Sequence, residues 1–185
     1  MQITRQMLMR AVPDLYFERV DEFVASFNMW AIPFGIDNPR RIAHYLAQVF
    51  HESGALRYVE EIASGEKYEG RKDLGNTEKG DGVRYKGRGY IQLTGRANYK
   101  AFSKCDLCTE DVVAHPEKVA EFPLNQVASM WFWQNHKLNE LADKDDGGKC
   151  GEDIVRQITK VVNGGQNGIA NRLFYYRRFK KELGL

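Results

Sequence analysis

The segment from Ser64 to Gly89 contains seven glycines spaced among charged and aromatic residues. They are Gly65, Gly70, Gly75, Gly80, Gly82, Gly87 and Gly89. A glycine inside a helix costs about 1 kcal/mol relative to alanine, so no helix is expected to survive that density. The segment therefore predicts loops with a short hairpin. A structureless stretch of this length in a compact domain usually carries function.

Apolar residues recur at helical spacing on both sides of this segment. They predict helices over residues 4–11, 16–30, 109–114, 124–136, 152–163 and 169–183. The best-defined helix begins at Pro39, after a cap at Asp37 or Asn38, and ends at Gly54. Its predicted buried stripe consists of Ile42, Tyr45, Leu46, Val49 and Phe50. The expected fold is mainly α with a long irregular central loop. Because no repeat or linker appears, residues 1–185 are predicted to form a single domain.

The composition excludes several classes of protein. With 27 basic and 25 acidic residues the net charge is +2, too balanced for a chain that acts on nucleic acid. A hydrophobic content of 43% argues against disorder, and no apolar stretch approaches the length of a membrane span. Residues 1–6 lack the apolar core and cleavage site of a secretory signal, so synthesis in the cytoplasm is expected.

The three cysteines cannot all pair within the chain. Cys105 and Cys108 form half of a zinc-site pattern, which Cys150 with His115 or His136 could complete. A single CxxC is a weak signal, and without a secretory signal free thiols are the default. Small buried thiols are therefore expected, with no metal and no other cofactor.

Glu52 is the candidate catalytic acid. It falls in the last turn of the helix that is predicted to end at Gly54, at the edge of the apolar stripe. Partial burial and the negative end of the helix dipole both disfavour its charged form, as a proton donor near neutral pH requires. The alternative is a surface glutamate paired with an arginine. A zinc-protease interpretation of His51-Glu52 fails because Ala55 stands where a second histidine is needed.

Glu61 is the candidate partner of Glu52. It begins the polar, glycine-spaced segment, where a carboxylate is expected to stay hydrated and ionised. Two carboxylates in contrasting environments divide the acid and base work of a glycosidase. The spacing does not exclude the adjacent Glu60, and an ordinary solvated face is the alternative for all these glutamates.

Residues 85–99 supply groups that a sugar-binding cleft needs, namely flat aromatic rings and fixed hydrogen-bonding side chains. If this segment is extended, alternation places Tyr90, Gln92 and Thr94 on one face. A polar edge strand is the alternative.

Four ordered motifs resemble the catalytic domain of glycoside hydrolase family 19. They are HESG at 51–54, YEGRKDLGN at 68–76, YKGRGYIQLTGRANY at 85–99 and VVNGG at 161–165. The family contains plant and bacterial chitinases and many bacteriophage endolysins, and this chain is most similar to the endolysin branch. The resemblance implies a lysozyme-like α-helical domain and hydrolysis with inversion. Inversion requires two carboxyl groups about 6.5–9.5 Å apart with a water between them and the sugar.

The resemblance also assigns roles in catalysis. It implies that Glu52 is the general acid and that Glu61 is the general base that activates water, with Glu60 and Glu69 as the alternatives for the base. It implies that the hydroxyl of Thr94 helps to hold that water.

Further positions match residues that bind sugar in the family. Gln92, Asn98 and Asn163 are such matches, and Arg172 matches an arginine near the acid that helps set its charge. Asn163 also precedes two glycines and is a natural helix stop, and the two roles are compatible. The candidate substrate-binding residues are His51, Tyr90, Gln92, Asn98, Asn163 and Arg172.

The resemblance implies an endolysin that cleaves β-1,4 bonds of peptidoglycan. Such a protein is expected to be a monomer that accumulates in the host cytoplasm and reaches the wall after a holin opens the inner membrane. The alternatives are a chitinase of the same mechanism and a non-catalytic glycan-binding protein. A DNA-binding adaptor is disfavoured by the net charge of +2.

The C-terminal segment from Asn171 to Leu185 is basic. Its cations are Arg172, Arg177, Arg178, Lys180 and Lys181. A basic amphipathic helix there would allow weak contact with anionic lipids of the outer membrane. The favoured interpretation is a terminal helix packed on the core with a solvated basic face.

Overall fold

The computed structural model describes residues 1–148 and 150–185. It divides into two compact units. The first comprises Met1–Arg57 and Trp133–Leu185, and the second comprises Tyr58–Phe132. That residues 1–185 form one catalytic domain stays a prediction.

The described residues are mainly helical, as the sequence predicted. The helices are α1 (Arg5–Ala11), α2 (Val20–Trp30), α3 (Pro39–Glu52), α4 (Asp81–Arg84), α5 (Arg96–Phe102), α6 (Leu124–Asn135), α7 (Leu138–Ala142), α8 (Cys150–Asn163) and α9 (Ile169–Glu182). None of these helices has the length and apolar character that a membrane span needs. The predicted fold class is confirmed.

Helix α3 begins and ends where the sequence predicted. The Asn38 side chain accepts a hydrogen bond from the backbone N–H of Arg41 at 3.0 Å, and Pro39 occupies the first turn. Gly54 follows the helix with a φ of 56°, which favours glycine. The predicted stripe is fully buried: Ile42, Tyr45, Leu46, Val49 and Phe50. Burial of this stripe fixes the position of Glu52, the last residue of the helix, within the first unit.

Aromatic side chains pack between α3 and α9 within the first unit. The ring centroid of Phe50 lies 6.1 Å from that of Tyr175 and 5.2 Å from that of Phe179. Truncating a buried phenylalanine to alanine costs about 3–5 kcal/mol. This packing holds the C-terminal half of α3 against the helix that carries Arg172.

A buried polar cluster joins the same two helices. Asp145 Oδ2 lies 2.9 Å from His44 Nε2 and accepts a hydrogen bond from the Tyr176 hydroxyl at 2.5 Å. Burial opposes ionisation of Asp145, but the hydrogen bonds from His44, Tyr176 and the N–H of Gly147 outweigh it and lower the pKa of Asp145. The cluster therefore holds an ionised carboxylate whose acceptors are satisfied, as a buried charge requires.

The glycine-rich segment forms loops and turns, as predicted, but the expectation that it contains no helix is wrong, because Asp81–Arg84 form the single-turn helix α4. Its 3₁₀ turns lie at Glu66–Tyr68 and Lys72–Leu74. Some of its glycines are needed for close approach of the backbone. A Cβ at Gly82 would lie 2.5 Å from the backbone nitrogen of Glu69. The glycines therefore allow backbone segments of this loop to pack directly against each other.

Two local predictions are wrong, and two short helices were not predicted. Residues 109–114 form turns because Asp111 Oδ1 accepts hydrogen bonds from the N–H groups of Val113 and Ala114, at 3.2 and 3.0 Å. Such local bonds compete with a helix, and Pro116 follows closely. Helices α5 and α7, in contrast, were not predicted, because each is short and its burial comes from tertiary contacts. The cysteines are free but partly exposed rather than buried.

The basic helix α9 is tied to the first unit along its length. Arg177 pairs with Glu152 at 2.7 Å, and Arg178 donates to the backbone carbonyls of Arg10 and Ala11 at 2.5 and 2.6 Å. Lys180 donates to a backbone carbonyl as well. These contacts support the interpretation of α9 as a packed terminal helix.

Candidate active site

Glu52 closes α3 with its carboxylate beside a buried arginine. Its side chain is 20% exposed, whereas that of Arg172 is 1% exposed. Arg172 Nη2 donates to Glu52 Oε1 and forms an ion pair with it. Glu52 is thus half-buried with a cationic partner from α9.

Arg172 is itself held by a second buried residue. Its Nη1 donates to Gln48 Oε1, and its Nε donates to the carbonyl of Asn167 at 3.3 Å. Gln48 is fully buried, and its Nε2 donates to Thr159 Oγ1 at 3.3 Å. Burial lowers the pKa of Arg172, and the Glu52 carboxylate opposes that effect. The hydrogen bonds leave the guanidinium one orientation, with Nη2 toward Glu52.

His51 precedes Glu52 and is also held by α9. Its Nδ1 lies 2.8 Å from Asn171 Oδ1. The ring packs on Gly168, where an added Cβ would overlap it. Burial and the charge of Arg172 lower the pKa of His51, against the opposing effects of Asn171 and Glu52. Neutral imidazole is therefore the form expected near pH 7.

Asn163 stands at the end of α8 with both side-chain polar atoms in use. Its Oδ1 accepts from the N–H of Gly165 at 2.9 Å, and its Nδ2 donates to the carbonyl of Asn167 at 3.0 Å. The predicted helix stop is confirmed by these bonds. Contact between Asn163 and a sugar stays a prediction.

Glu61, in the second unit, is anchored by three donors. Lys67 Nζ lies 2.7 Å from Oε1, the Tyr68 hydroxyl donates to Oε1 at 3.2 Å, and the N–H of Gly87 donates to Oε2 at 3.3 Å. Burial raises the pKa of Glu61, but these three donors outweigh it and the net shift is downward. The carboxylate is ionised, as a general base must be.

The two alternative bases have their carboxylates engaged elsewhere. Glu60 Oε1 lies 3.1 Å from Arg88 Nε and 3.2 Å from Lys86 Nζ. Glu69 accepts from the N–H groups of Gly80 and Gly82 at 2.6 and 2.8 Å, which closes the loop around α4. All three carboxylates thus have protein donors, and Glu61 as the base stays a prediction.

The expectation that Tyr90, Gln92 and Thr94 share one face of an extended segment is wrong. Paired hydrogen bonds between Arg88 and Leu93, at 3.1 and 2.7 Å, close a tight turn over the residues between them. Gln92 has a φ of 51° there, and Tyr90 is only 1% exposed. Tyr90 packs in the core of the second unit and cannot offer its ring to a sugar.

The turn nevertheless brings Gln92 and Thr94 to Gly87, whose N–H donates to Glu61. A Cβ at Gly87 would lie 2.7 Å from Gln92 Oε1 and 3.3 Å from Thr94 Oγ1. Thr94 Oγ1 donates to the carbonyl of Gln92 at 2.8 Å, and Asn98 Nδ2 donates to the carbonyl of Thr94 at 2.7 Å. Gln92, Thr94 and Asn98 therefore form one hydrogen-bonded group beside Gly87.

One group of three possible metal ligands occurs among residues 1–148 and 150–185. It consists of Asp145, Asp146 and Cys150, whose ligand atoms lie within 4.8 Å of one another. Asp145 is occupied by His44 and Tyr176, and Cys150 Sγ donates to Asp146 Oδ1 at 2.8 Å. These are hydrogen bonds of a packed loop. This group differs from the candidate zinc set built on Cys105 and Cys108.

Comparison with known proteins decides the family. No protein-family model matches the chain. A glycosyl hydrolase family 19 domain-containing protein of Haemophilus influenzae is 30% identical, over 77% of this chain and 80% of that protein. The chain belongs to glycosyl hydrolase family 19. The resemblance carried by the four sequence motifs is thereby confirmed at the level of the family.

Other family 19 proteins support the same fold. An Arabidopsis thaliana endochitinase is 34% identical over 88% of this chain, although the chain spans only 55% of that protein. A bacterial family 19 chitinase superposes with a TM-score of 0.66 at 19% identity, covering 99% of this chain and 95% of the other. Chitinase C of Streptomyces griseus gives 0.65 at 20% identity, over 98% and 76%. At that identity the structures show the fold, which is that of a glycoside hydrolase.

The sequence analysis missed several residues of this candidate site. Gln48 lies one helical turn before Glu52, so a buried polar side chain at that spacing was a usable signal. Asn171 and Gly168 lie one and four residues before Arg172 in sequence, but nothing local links them to His51. Nothing in the sequence around Lys67 distinguishes it from other surface lysines, and only the fold of the loop brings its Nζ to 2.7 Å from Glu61 Oε1.

Proposed function

We propose that this family 19 chain hydrolyses β-1,4 glycosidic bonds of bacterial peptidoglycan with inversion. Glu52 protonates the glycosidic oxygen, and Glu61 takes a proton from the attacking water. The observation that carries the proposal is the anchoring of Glu61 by Lys67, Tyr68 and Gly87, which keeps this carboxylate ionised. The Thr94 hydroxyl helps to hold the water.

Arg172 supports the acid after proton transfer. As Glu52 gives up its proton, its carboxylate gains the full ion pair with the buried guanidinium. Stabilisation of a charge that develops in the transition state accelerates the chemical step. Gln48 holds Arg172 in the orientation that this requires.

Peptidoglycan as the substrate, and host-cell lysis as the role, rest on the resemblance to the phage endolysin branch of the family, which the Gly-Arg-Ala-Asn-Tyr run at residues 95–99 supports. The protein would then act as a monomer on glycan strands, after release from the cytoplasm through an opened inner membrane. Chitin is the second candidate, because the relatives include proteins named endochitinase and chitinase.

The test compares purified sacculi with chitin oligomers as substrates. Glu52→Gln keeps the shape of the side chain but cannot donate a proton, and should lower kcat by roughly 10²–10⁴-fold. Glu152→Gln is the matched control, since Glu152 also pairs with an arginine. Glu61→Gln should lose activity on the same scale, whereas Glu60→Gln, one residue away, should retain it.

Mass spectrometry of the products identifies the bond. New reducing-end sugars with intact peptides, released from sacculi and absent with Glu52→Gln, would support the proposal. Turnover of chitin oligomers without release from sacculi would favour the chitinase. Full activity of Glu52→Gln on both substrates would refute the assignment of the acid, and binding without products would indicate a glycan-binding protein.

A further inference from the structure

Two arginines of the first unit flank the ring of Tyr16. The guanidinium carbon of Arg19 lies 5.3 Å from the ring centroid, and that of Arg57 lies 5.9 Å from it. A guanidinium over an aromatic face is attracted by the negative charge of the π system. Tyr16 is partly exposed and Arg57 is exposed, so both are in contact with solvent. The ring therefore orients two cations at the surface of this unit.

The two arginines differ in what their side chains bind. Arg19 Nη1 donates to the backbone carbonyls of Leu56 and Arg57, at 3.1 and 2.5 Å, so this side chain supports the loop that follows α3. For Arg57, no carboxylate among residues 1–148 and 150–185 lies within ion-pair distance of the guanidinium. A guanidinium has five N–H donors in a planar fork. Arg57 therefore presents an oriented cation whose donors can bind a ligand.

The nearby carboxylates are engaged by tyrosine hydroxyls instead. The Tyr16 hydroxyl donates to Glu18, and the Tyr175 hydroxyl donates to Asp14 Oδ1 at 3.1 Å. These two carboxylates offset part of the positive charge of this surface, but they leave the guanidinium of Arg57 without an anionic partner. An arginine of this kind suits a carboxylate, which it can bind through two parallel hydrogen bonds.

Two consecutive turns keep Arg57 close to the end of α3. The N–H of Gly54 donates to the carbonyl of His51 at 3.2 Å, and the N–H of Arg57 donates to the carbonyl of Gly54 at 3.3 Å. Each such turn brings its first and last Cα atoms within about 7 Å, so the Cα atoms of His51 and Arg57 lie within roughly 14 Å of each other. The N–H of Tyr16 donates to the carbonyl of Ala55 at 3.0 Å, which ties the ring to the same loop.

We propose that Arg57, held on the ring of Tyr16, binds a carboxylate of the peptide that branches from the glycan and so selects peptidoglycan over chitin. Every second sugar of peptidoglycan carries a lactyl group extended by a peptide with free carboxylates, whereas the acetamido sugars of chitin are neutral. A peptide of four residues spans up to about 14 Å, which is enough to reach Arg57 from a sugar bound at Glu52. This inference rests on the glycosidase function proposed above and adds a residue that determines its specificity.

The experiment compares soluble glycan strands that carry their peptides with the same strands after an amidase has removed the peptides. Arg57→Gln should raise KM about three- to tenfold on the peptide-bearing strands, with kcat nearly unchanged, because a charge-assisted pair of hydrogen bonds is lost. On the peptide-free strands KM should stay the same. Arg57→Lys keeps the charge without the planar fork and should give an intermediate KM. Arg5→Gln is the matched control, since Arg5 is an exposed arginine of the same unit that pairs with Asp21.

Two variants of Tyr16 test the role of its ring. Tyr16→Phe keeps the aromatic face and removes only the hydroxyl that donates to Glu18, so it should retain the preference for peptide-bearing strands. Tyr16→Leu removes the face on which Arg57 lies and should reduce that preference. Equal effects of Arg57→Gln on the two kinds of strand, or no effect on either, would overturn the proposal.

A binding measurement separates this inference from the proposed function. The Glu52→Gln chain, labelled with nitrogen-15, is titrated with a disaccharide-peptide fragment of peptidoglycan, and the NMR shift changes give the Kd. Adding Arg57→Gln should raise the Kd about three- to tenfold, and adding Arg5→Gln should leave it unchanged. Absence of binding, or an equal Kd with and without Arg57→Gln, would overturn the proposal. Binding that depends on Arg57, with no cleavage of either kind of strand by the wild type, would refute only the proposed function.

Discussion

Replacing Arg172 with methionine should destabilise the protein substantially. The Arg172 side chain is 1% exposed, and its guanidinium bonds Glu52, Gln48 and the carbonyl of Asn167. Methionine keeps most of the packing of the aliphatic stem but removes every donor. The substitution therefore leaves the Glu52 carboxylate and the Gln48 amide oxygen without the cation that they face.

The magnitude follows from the exposure of each acceptor. Gln48 is fully buried, so leaving its Oε1 without a donor costs about 1–3 kcal/mol. Breaking a buried ion pair costs about 3–5 kcal/mol when the remaining charge stays buried. Glu52 is 20% exposed and can regain water, which places its share at the low end. The exposed Asn167 carbonyl adds little. The total is about 4–6 kcal/mol, equivalent to a fall in Tm of roughly 8–24 °C for a chain of this size.

Urea unfolding monitored by circular dichroism gives the free energy of unfolding directly. Arg177→Met is the matched control, because Arg177 makes a solvent-exposed ion pair with Glu152. That pair should contribute less than about 1 kcal/mol. The double variant Glu52→Gln with Arg172→Met should recover part of the loss, since it removes the uncompensated charge. A loss below about 1 kcal/mol in Arg172→Met would refute the reasoning.

Three further predictions concern pH and local geometry. Burial raises the pKa of Glu61, and Lys67 is one of the donors that lower it. Lys67→Met should therefore raise the pKa of Glu61 and move the acidic limb of the kcat/KM profile to higher pH. Gly87→Ala should reduce kcat/KM by about 10- to 100-fold with little change in Tm, because the new Cβ would displace the Gln92 amide. Burial lowers the pKa of His44, so the unfolded chain binds a proton that the folded chain rejects, and the free energy of unfolding should decrease as pH falls below about 6.5.

Each of these has a control. Lys72→Met, in the same glycine-rich segment, should leave the pH profile in place, and an equal shift in both lysine variants would contradict the role of Lys67. If Gly87→Ala acts by displacing the Gln92 amide, the double variant Gly87→Ala with Gln92→Ala should have the same kcat/KM as Gln92→Ala alone. His44→Gln should flatten the dependence of stability on pH below about 6.5, and an unchanged slope would assign it to other groups.

Local physics was enough to predict the main helices. Helix α3 begins at Asn38–Pro39 and ends before Gly54 because capping, the fixed φ of proline and the freedom of glycine act within a few residues. Helices α8 and α9 follow from their apolar spacing in the same way. The failure at 109–114 has a local cause too, since Asp111 binds its own backbone neighbours.

The sequence also predicted which residues take part in the chemistry, through motifs that carry the family resemblance. It located Glu52 at a helix end and Glu61 at the start of a polar loop. Only the tertiary structure decided what each carboxylate touches. The Arg172 partner of Glu52 lies 120 residues away in sequence, and Lys67 reaches Glu61 because of the fold of one loop.

The same distinction accounts for Tyr90 and for His51. Alternate residues lie on one face only if the chain is extended. The hydrogen bonds between Arg88 and Leu93 instead close a tight turn, in which Tyr90 is buried. The His51 ring is held by Asn171, 120 positions away, whose Oδ1 lies 2.8 Å from His51 Nδ1. Helix ends are determined by neighbours along the chain, whereas burial and ion pairing depend on groups that only folding brings within about 3 Å of each other.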